Sequence, residues 1–438
     1  MTVEKINDFL NCYFEVMGFT DEQVIDWIRN GILNRYEKYK DAYPTISIED
    51  DNYQNYAIKS TNGHYELEDF LLNRLFQSLR EIIIRNDENA QSCEYSPKNR
   101  TMYISEPAIR KVISSKLNWP DEIKEKFTTI ILSTVFDHEL GHALKTQFVG
   151  GYKVQADNQK IFFEELFNML KDELGNEKAT DFFTQIKTDN VKSSDTLYKD
   201  LLEHLSTTKN GMYKSITLTP TELIDSNSSD NGTGICKKTS KERNLTLLDE
   251  LLQEKESMDN IKLYEIPQAK IYIGSSGNYI NNYHLLSGYS PIIGYGQIIT
   301  SLFGVKGTFQ ATYLNPDPVF SEFNTSYEDI AEEIFQNNSS PITNINESLN
   351  RIMSTKSESD YLQLDLFLAK CYEKKLDKQL IENPEVNAET IINEINSFQT
   401  HLTTNDDESA NSLLPHNHIF NTLKQRLSSF NNTEHITK

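Results

Sequence analysis

Basic residues are scarce in this sequence: 43 Lys and Arg stand against 65 Asp and Glu, for a formal net charge of −22. So acidic a surface repels phosphate backbones and anionic lipid headgroups, which argues against nucleic acid or a membrane surface as the main partner. No run of Lys or Arg supplies a local exception. Cysteine is scarce too. Cys12, Cys93, Cys236 and Cys371 are widely spaced and form no CxxC pair, which excludes a disulfide framework or a Cys-rich zinc site and leaves buried or neutral thiols. No stretch stays apolar for the length a bilayer requires. The opening MTVEKINDFLNCYFEVMGF carries acids where a secretory leader has a cationic start and a long apolar run. The expectation is a cytoplasmic protein, unless a route that needs no cleaved leader exports it. G-x-S-x-G, P-loop and GxGxxG patterns are missing, which removes serine hydrolase, nucleotide and dinucleotide chemistry.

The composition that remains is that of a folded chain. Its 438 residues are 37% hydrophobic and 25% charged, with 22 Tyr and 22 Phe, enough for a large core in two or three units. Residues 1–60 read as short helices that end in a loop. FLLNRLFQSLREIIIR, Phe70 to Arg85, has helical apolar spacing and predicts one helix packed along one face. CEYSPKNRTMYIS predicts two short strands around a turn. Trp119-Pro120-Asp121 reads as a helix start, and TTIILSTVF runs from there into VFDHELGHALK, with Ile131, Val135, Leu140 and Leu144 spread round most of the helix. Such a helix is buried. Residues 151–240 are less regular, with an amphipathic IFFEELFNMLKDEL and a loop-like DSNSSDNGTGICKKTS, and read as an insertion. LTLLDELLQEKES predicts a helix, GYSPIIGYGQIITSLFG a Pro- and Gly-punctuated lead into another. Beyond about 325 the chain reads as mostly helical, with a polar break at TTNDDESANS.

Chemistry concentrates in HELGH. Residues i and i+4 share a helix face, roughly 5–6 Å apart, so His138 and His142 can each direct one ring nitrogen at a single zinc ion at about 2.0–2.1 Å. Glu139 flanks that face and can take a proton from zinc-activated water without binding the metal. The bland alternative is two satisfied histidines and a surface carboxylate. Burying all three in an apolar helix without a ligand is costly, so the site reading is preferred. Gly141 weakens a helix by about 1 kcal/mol relative to Ala but lets another backbone approach.

VFDHELGHAL, LLDELLQE and GYSPIIGYGQIITSLFG together resemble the HExxH zinc metallopeptidases of the gluzincin type, with a thermolysin-like catalytic core, and in the last segment some poorly characterised bacterial relatives. The resemblance covers about 100–310 discontinuously. It implies Glu250 as third zinc ligand and Glu254, one turn on, as a carboxylate that orients a histidine. Asp249 stands where the family has Asn, Leu251 where many relatives have a small residue, and Glu250 lies much further beyond His142 than the few tens of residues usual in the family. Glu164 and Glu165 in FFEELF lie at the usual distance and stay open as alternatives. Glu250 is preferred because a second acid follows at i+4 and the Tyr/Gly segment comes after it. An oxyanion donor is also needed. Tyr289 is the first choice, Tyr295 and His284 the alternatives.

The expected fold is therefore α+β and mainly helical. It comprises an N-terminal helical segment (1–60), a zincin upper subdomain with a small sheet and the HELGH helix (61–150), the insertion (151–240), a lower subdomain with the third-ligand helix (241–325) and a C-terminal helical region (326–438). The expected activity is hydrolysis of peptide bonds in a peptide or protein substrate, with zinc as cofactor. No Gly-x-Met-Glu-Asn stretch marks an aminopeptidase, which favours an endopeptidase. Two other readings stand beside it: an inert zincin-fold binding or regulatory protein, and a narrow-specificity protease delivered into another cell. His416 and His418 in PHNH read as part of a solvated loop. Cys93 lacks the setting of a deformylase-type ligand.

Overall fold

The computed structural model of the chain describes residues 2–43, 67–79, 81–96, 101–116, 120–145, 148–149, 222–223, 245–259, 289, 291–313, 316–383, 387–402 and 415–434. Among them helices dominate, beside a small sheet, so the chain is α+β and mainly helical. Contacts divide it into two compact units, residues 1–237 with 256–279, and residues 238–255 with 280–438. None of the described helices is long and apolar enough to cross a membrane.

In the first unit α1 (Thr2–Met17), α2 (Glu22–Tyr39) and α3 (Leu67–Ser78) lead into β1 (Glu81–Ile84), β2 (Cys93–Ser96) and β3 (Thr101–Ile104). Asp21 starts α2 by accepting from the amides of Gln23 and Val24, at 3.0 and 3.2 Å, which satisfies two of the amides a helix start leaves over. The expected hairpin is present: β2 and β3 pair antiparallel, Cys93 opposite Ile104 and Ser96 opposite Thr101. The helix expected through Arg85 is not. It stops at Ser78, and Glu81–Ile84 runs parallel to β3 as the other edge of the sheet, Glu81 opposite Thr101. Three successive isoleucines are stiff at χ1 and fit a pleated surface better than a helix, and a short apolar run alone does not discriminate the two. The helix end is sealed by tyrosines: Tyr95 donates its hydroxyl to the Ser78 carbonyl and Tyr13 to that of Leu79, each at 2.6 Å.

α4 (Glu106–Lys116) and α5 (Asp121–Lys145) follow. α5 packs on α2, α3, α4 and β2. As expected of a helix apolar nearly all round, its second half is buried, including Phe136, Leu140, Ala143 and Leu144, with Val135 half-buried. Two-residue strands β4 (Phe148–Val149) and β5 (Glu222–Leu223) pair antiparallel. The amphipathic segment read within 151–240 lies outside the described residues.

The second unit holds most of α6 (Thr246–Asp259), which is the helix expected for LTLLDELLQEKES, and α7 (Tyr295–Tyr313), α8 (Asp317–Phe335), α9 (Pro341–Thr355), α10 (Glu358–Glu382), α11 (Ala388–Leu402) and α12 (Pro415–Glu434). α7 is interrupted at Gly304, φ 71°, a conformation that glycine takes without penalty. α10 is central and packs on α7, α8, α9 and α12. Its Phe367 and Leu368 are buried, and its Tyr372 meets Phe398 of α11 and Phe420 of α12, ring centroids 4.9 and 6.4 Å away. His416 corrects the solvated-loop reading. It lies at the start of α12 with no exposed surface, whereas His418 on the same turn is exposed. Pro415 fits the first helical position, where its missing N–H costs nothing.

Candidate metal centre

α5 supplies the histidine pair. The i, i+4 spacing turns both rings to one face, their centroids 4.7 Å apart, and brings Nε2 of His142 to 2.9 Å from Nε2 of His138. Both residues are buried. Two neutral rings cannot aim lone pairs at one another over that distance. Either one nitrogen carries a proton or both face an electrophile.

α6 supplies the third group. His138, His142 and Glu250 are buried and offer one ligand atom each, all within 4.8 Å of one another. Among the described residues this is the group of three or more such side chains able to hold a metal ion. Two ring nitrogens and a carboxylate oxygen brought this close could together hold a metal ion. Glu164 and Glu165, the alternative third ligands, lie outside the described residues. Glu254 is buried one turn after Glu250.

The seating of α6 explains why two segments accompany the acids. Gly296, in the Tyr/Gly segment, lies so close to the Leu251 carbonyl that an added Cβ would stand 3.0 Å from it. A side chain there would push the helix away beside Glu250. At the other end of α6, buried Glu256 accepts from Tyr39 at 2.5 Å and from Lys38 at 2.9 Å, both on α2.

Glu139 is half-buried, and its Oε2 accepts the backbone amide of Tyr95 at 2.9 Å. β2 is an edge of the sheet, and an edge strand has amides free for such a use. The bond fixes the carboxylate of the residue that follows His138. Burial first, and then the nearby charge of Glu139, push the Cys93 thiol well up. Tyr289 is half-buried in the turn before α7, its carbonyl accepting from the amides of Ile292 and Ile293 at 2.8 and 3.1 Å. Tyr295 is buried, with its hydroxyl given to Asp365 at 2.6 Å. His284 lies outside the described residues.

The residues that sequence reasoning passed over are those that hold α5. Arg35, fully buried on α2, donates to the Asp137 side chain at 2.5 Å and to its carbonyl at 3.0 Å. The signal was Asp137 itself, a charge in the buried half of α5, which needs a partner. Gly31 allows α2 to lie against α5, since an added Cβ would stand 2.5 Å from Leu140 Cδ2 and 2.6 Å from Asp137 Oδ1. Close approach of another backbone was expected at Gly141; tight approaches are described at Gly31, to the Leu140 and Asp137 side chains, and at Gly296, to the Leu251 carbonyl.

No protein-family model matches the chain, and no curated protein or solved structure shows similarity to it.

Proposed function

We propose that the chain is a zinc-dependent metallopeptidase with a zincin-like catalytic core that cleaves internal peptide bonds. The observation that carries this is the closeness of one ligand atom each from buried His138, His142 and Glu250; the carboxylate of Glu139, the residue after His138, is held by the Tyr95 amide. His138, His142 and Glu250 would hold the zinc, and Glu254, one turn on, would help orient a ligand. Bound there, zinc supplies Lewis acidity toward water and toward the carbonyl oxygen of the substrate. Glu139 acts as general base: one carboxylate oxygen keeps the Tyr95 amide, and the other takes the proton of the attacking water and then gives it to the leaving amine. Tyr289 is the proposed oxyanion donor, since the hydroxyl of Tyr295 is already given to Asp365. Peptide or protein is the substrate class that this set of roles serves.

Two measurements test the reading. Untagged protein purified without chelator should contain about one zinc per chain by elemental mass spectrometry. Digestion of a proteome-derived peptide library should then give new termini that vanish with Glu139→Gln. A chain that takes up no zinc even when it is offered sinks the metal site, and a zinc-loaded chain whose products are the same with Glu139→Gln sinks the peptidase.

A further inference from the structure

One face of α2 presents Trp27, Gly31, Arg35 and Tyr39 at four-residue intervals, a slowly turning stripe along the helix. Each meets a neighbour that matters. Trp27 stacks at a tilt on Phe136 of α5, ring centroids 5.3 Å apart. Gly31 gives room to Leu140 and Asp137. Arg35 grips Asp137 by side chain and backbone, and also bonds the Gly31 carbonyl at 3.0 Å. Tyr39 holds Glu256 in the last turn of α6, assisted by Lys38.

The positions gripped have a common logic. Asp137 is the residue before His138, so it leaves α5 about 100° round from that ligand. Glu256 lies six residues beyond Glu250, on another side of α6 and about 9 Å along its axis. Each ligand helix is therefore held from a face its ligands do not use, and both by α2.

We propose that α2 is the positioning element of the metal centre, and that Arg35 and Tyr39, one turn apart, set where His138 and Glu250 stand. The proposal rests on the reading of His138, His142 and Glu250 as a metal site. Neither residue is a catalytic one; each acts through the helix it holds. Carboxylates as buried as Asp137 and Glu256 require such partners in any case, so a purely structural role is the competing account, and the test must separate the two.

Tyr39→Phe removes one hydroxyl and little else, and Arg35→Lys keeps the charge while losing the two-pronged grip. The full-length chain and both variants would be titrated with zinc against a chromophoric chelator, loaded with cobalt(II) for visible absorption, and melted in the metal-free form. Loss of a group that orients a ligand weakens metal binding by about 10–100-fold. That loss is expected in both variants, together with a weaker and shifted cobalt spectrum, even where the metal-free melting temperature is unchanged. Zinc affinity within twofold of the parent, with the same cobalt spectrum, overturns the positioning role and leaves the metal site standing. A parent chain that binds neither metal removes the site reading itself. If Arg35→Lys does not fold, Tyr39→Phe decides alone.

Discussion

Two regions of the chain bury a histidine with a carboxylate, and they do it in opposite ways. At the HELGH helix, the ligand atoms of His138, His142 and Glu250 converge, with two ring nitrogens 2.9 Å apart. In the helical unit, Asp365 of α10 accepts the hydroxyl of Tyr295 at 2.6 Å, and Nδ1 of fully buried His416 stays 3.7 Å from its other oxygen. The second group is a donor–acceptor pair with a histidine alongside. It is a place for a proton. The first brings one potential ligand atom from each of three side chains within 4.8 Å of one another. Burial of polar groups is common to both, so burial does not mark a candidate metal site; the convergence of potential ligand atoms does.

The sharpest break in that comparison is to remove one member of each group. Glu250→Ala should take zinc from about one per chain to none after dialysis, and His416→Ala should leave it at one, both by elemental mass spectrometry. Zinc retained in the first variant would move the third ligand to Glu164 or Glu165, and zinc lost in the second would show that the two groups are not separable. Next in size is Glu139→Gln. It keeps the hydrogen bond from Tyr95 but cannot take a proton, so library cleavage should fall by about 10²–10⁴-fold at unchanged zinc content. A fall in zinc with activity would instead make Glu139 a structural partner of the site.

How much of this could be read from the chain depends on the range of the contacts. His138 and His142 are one turn apart, so their shared face is a local property and follows from spacing alone. The burial of α5 was equally local, since its apolar residues leave no polar stripe. Glu250 was reached only through a family resemblance, and preferred for the acid at i+4 and the Tyr/Gly segment behind it; the structure sets Gly296 of that segment against Leu251. The role of α2 was not legible: Arg35 with Asp137 and Tyr39 with Glu256 are distant in sequence, and nothing local in α2 indicates which charge it meets. Two local errors had readable remedies. Three isoleucines in Glu81–Ile84 and a proline opening α12 were signals for strand and helix, outweighed by helical spacing in one case and polar surroundings in the other.

Gly31→Ala gives a smaller effect with an informative sign. At an ordinary interior helix position this change stabilises by about 1 kcal/mol. Here the new Cβ meets Leu140 and Asp137, both buried, and Asp137 is held by Arg35. Overpacking typically costs about 1–3 kcal/mol, so the melting temperature of the metal-free chain should drop by a few degrees. A rise would mean that α2 can move off α5 without loss, which would also weaken its claim to position the histidines.

The smallest effect tests the other half of the comparison, that Asp365 and His416 manage protons. Burial pushes the Asp365 carboxyl up to about 7, against the opposing hydrogen bond from Tyr295, and pushes the His416 ring down to about 4. The two shifts act on stability with opposite signs. A carboxyl that holds its proton more tightly when folded contributes stability that is full below its ordinary value of 3.8 and is lost as pH rises toward about 7. A ring that resists protonation when folded contributes stability that is full above 6.5 and is lost as pH falls toward about 4. Between pH 4 and 7 they offset in the parent chain, so each single variant should uncover the slope of the other partner. Relative to the parent, His416→Gln should gain stability as pH falls from 7 to 4.5, and Asp365→Asn should lose it over the same range, read as urea midpoints by far-UV circular dichroism. Slopes of the same sign in the two variants would mean that the pair does not divide its protons this way, and the contrast with the converging lone pairs of HELGH would then have to rest on geometry alone.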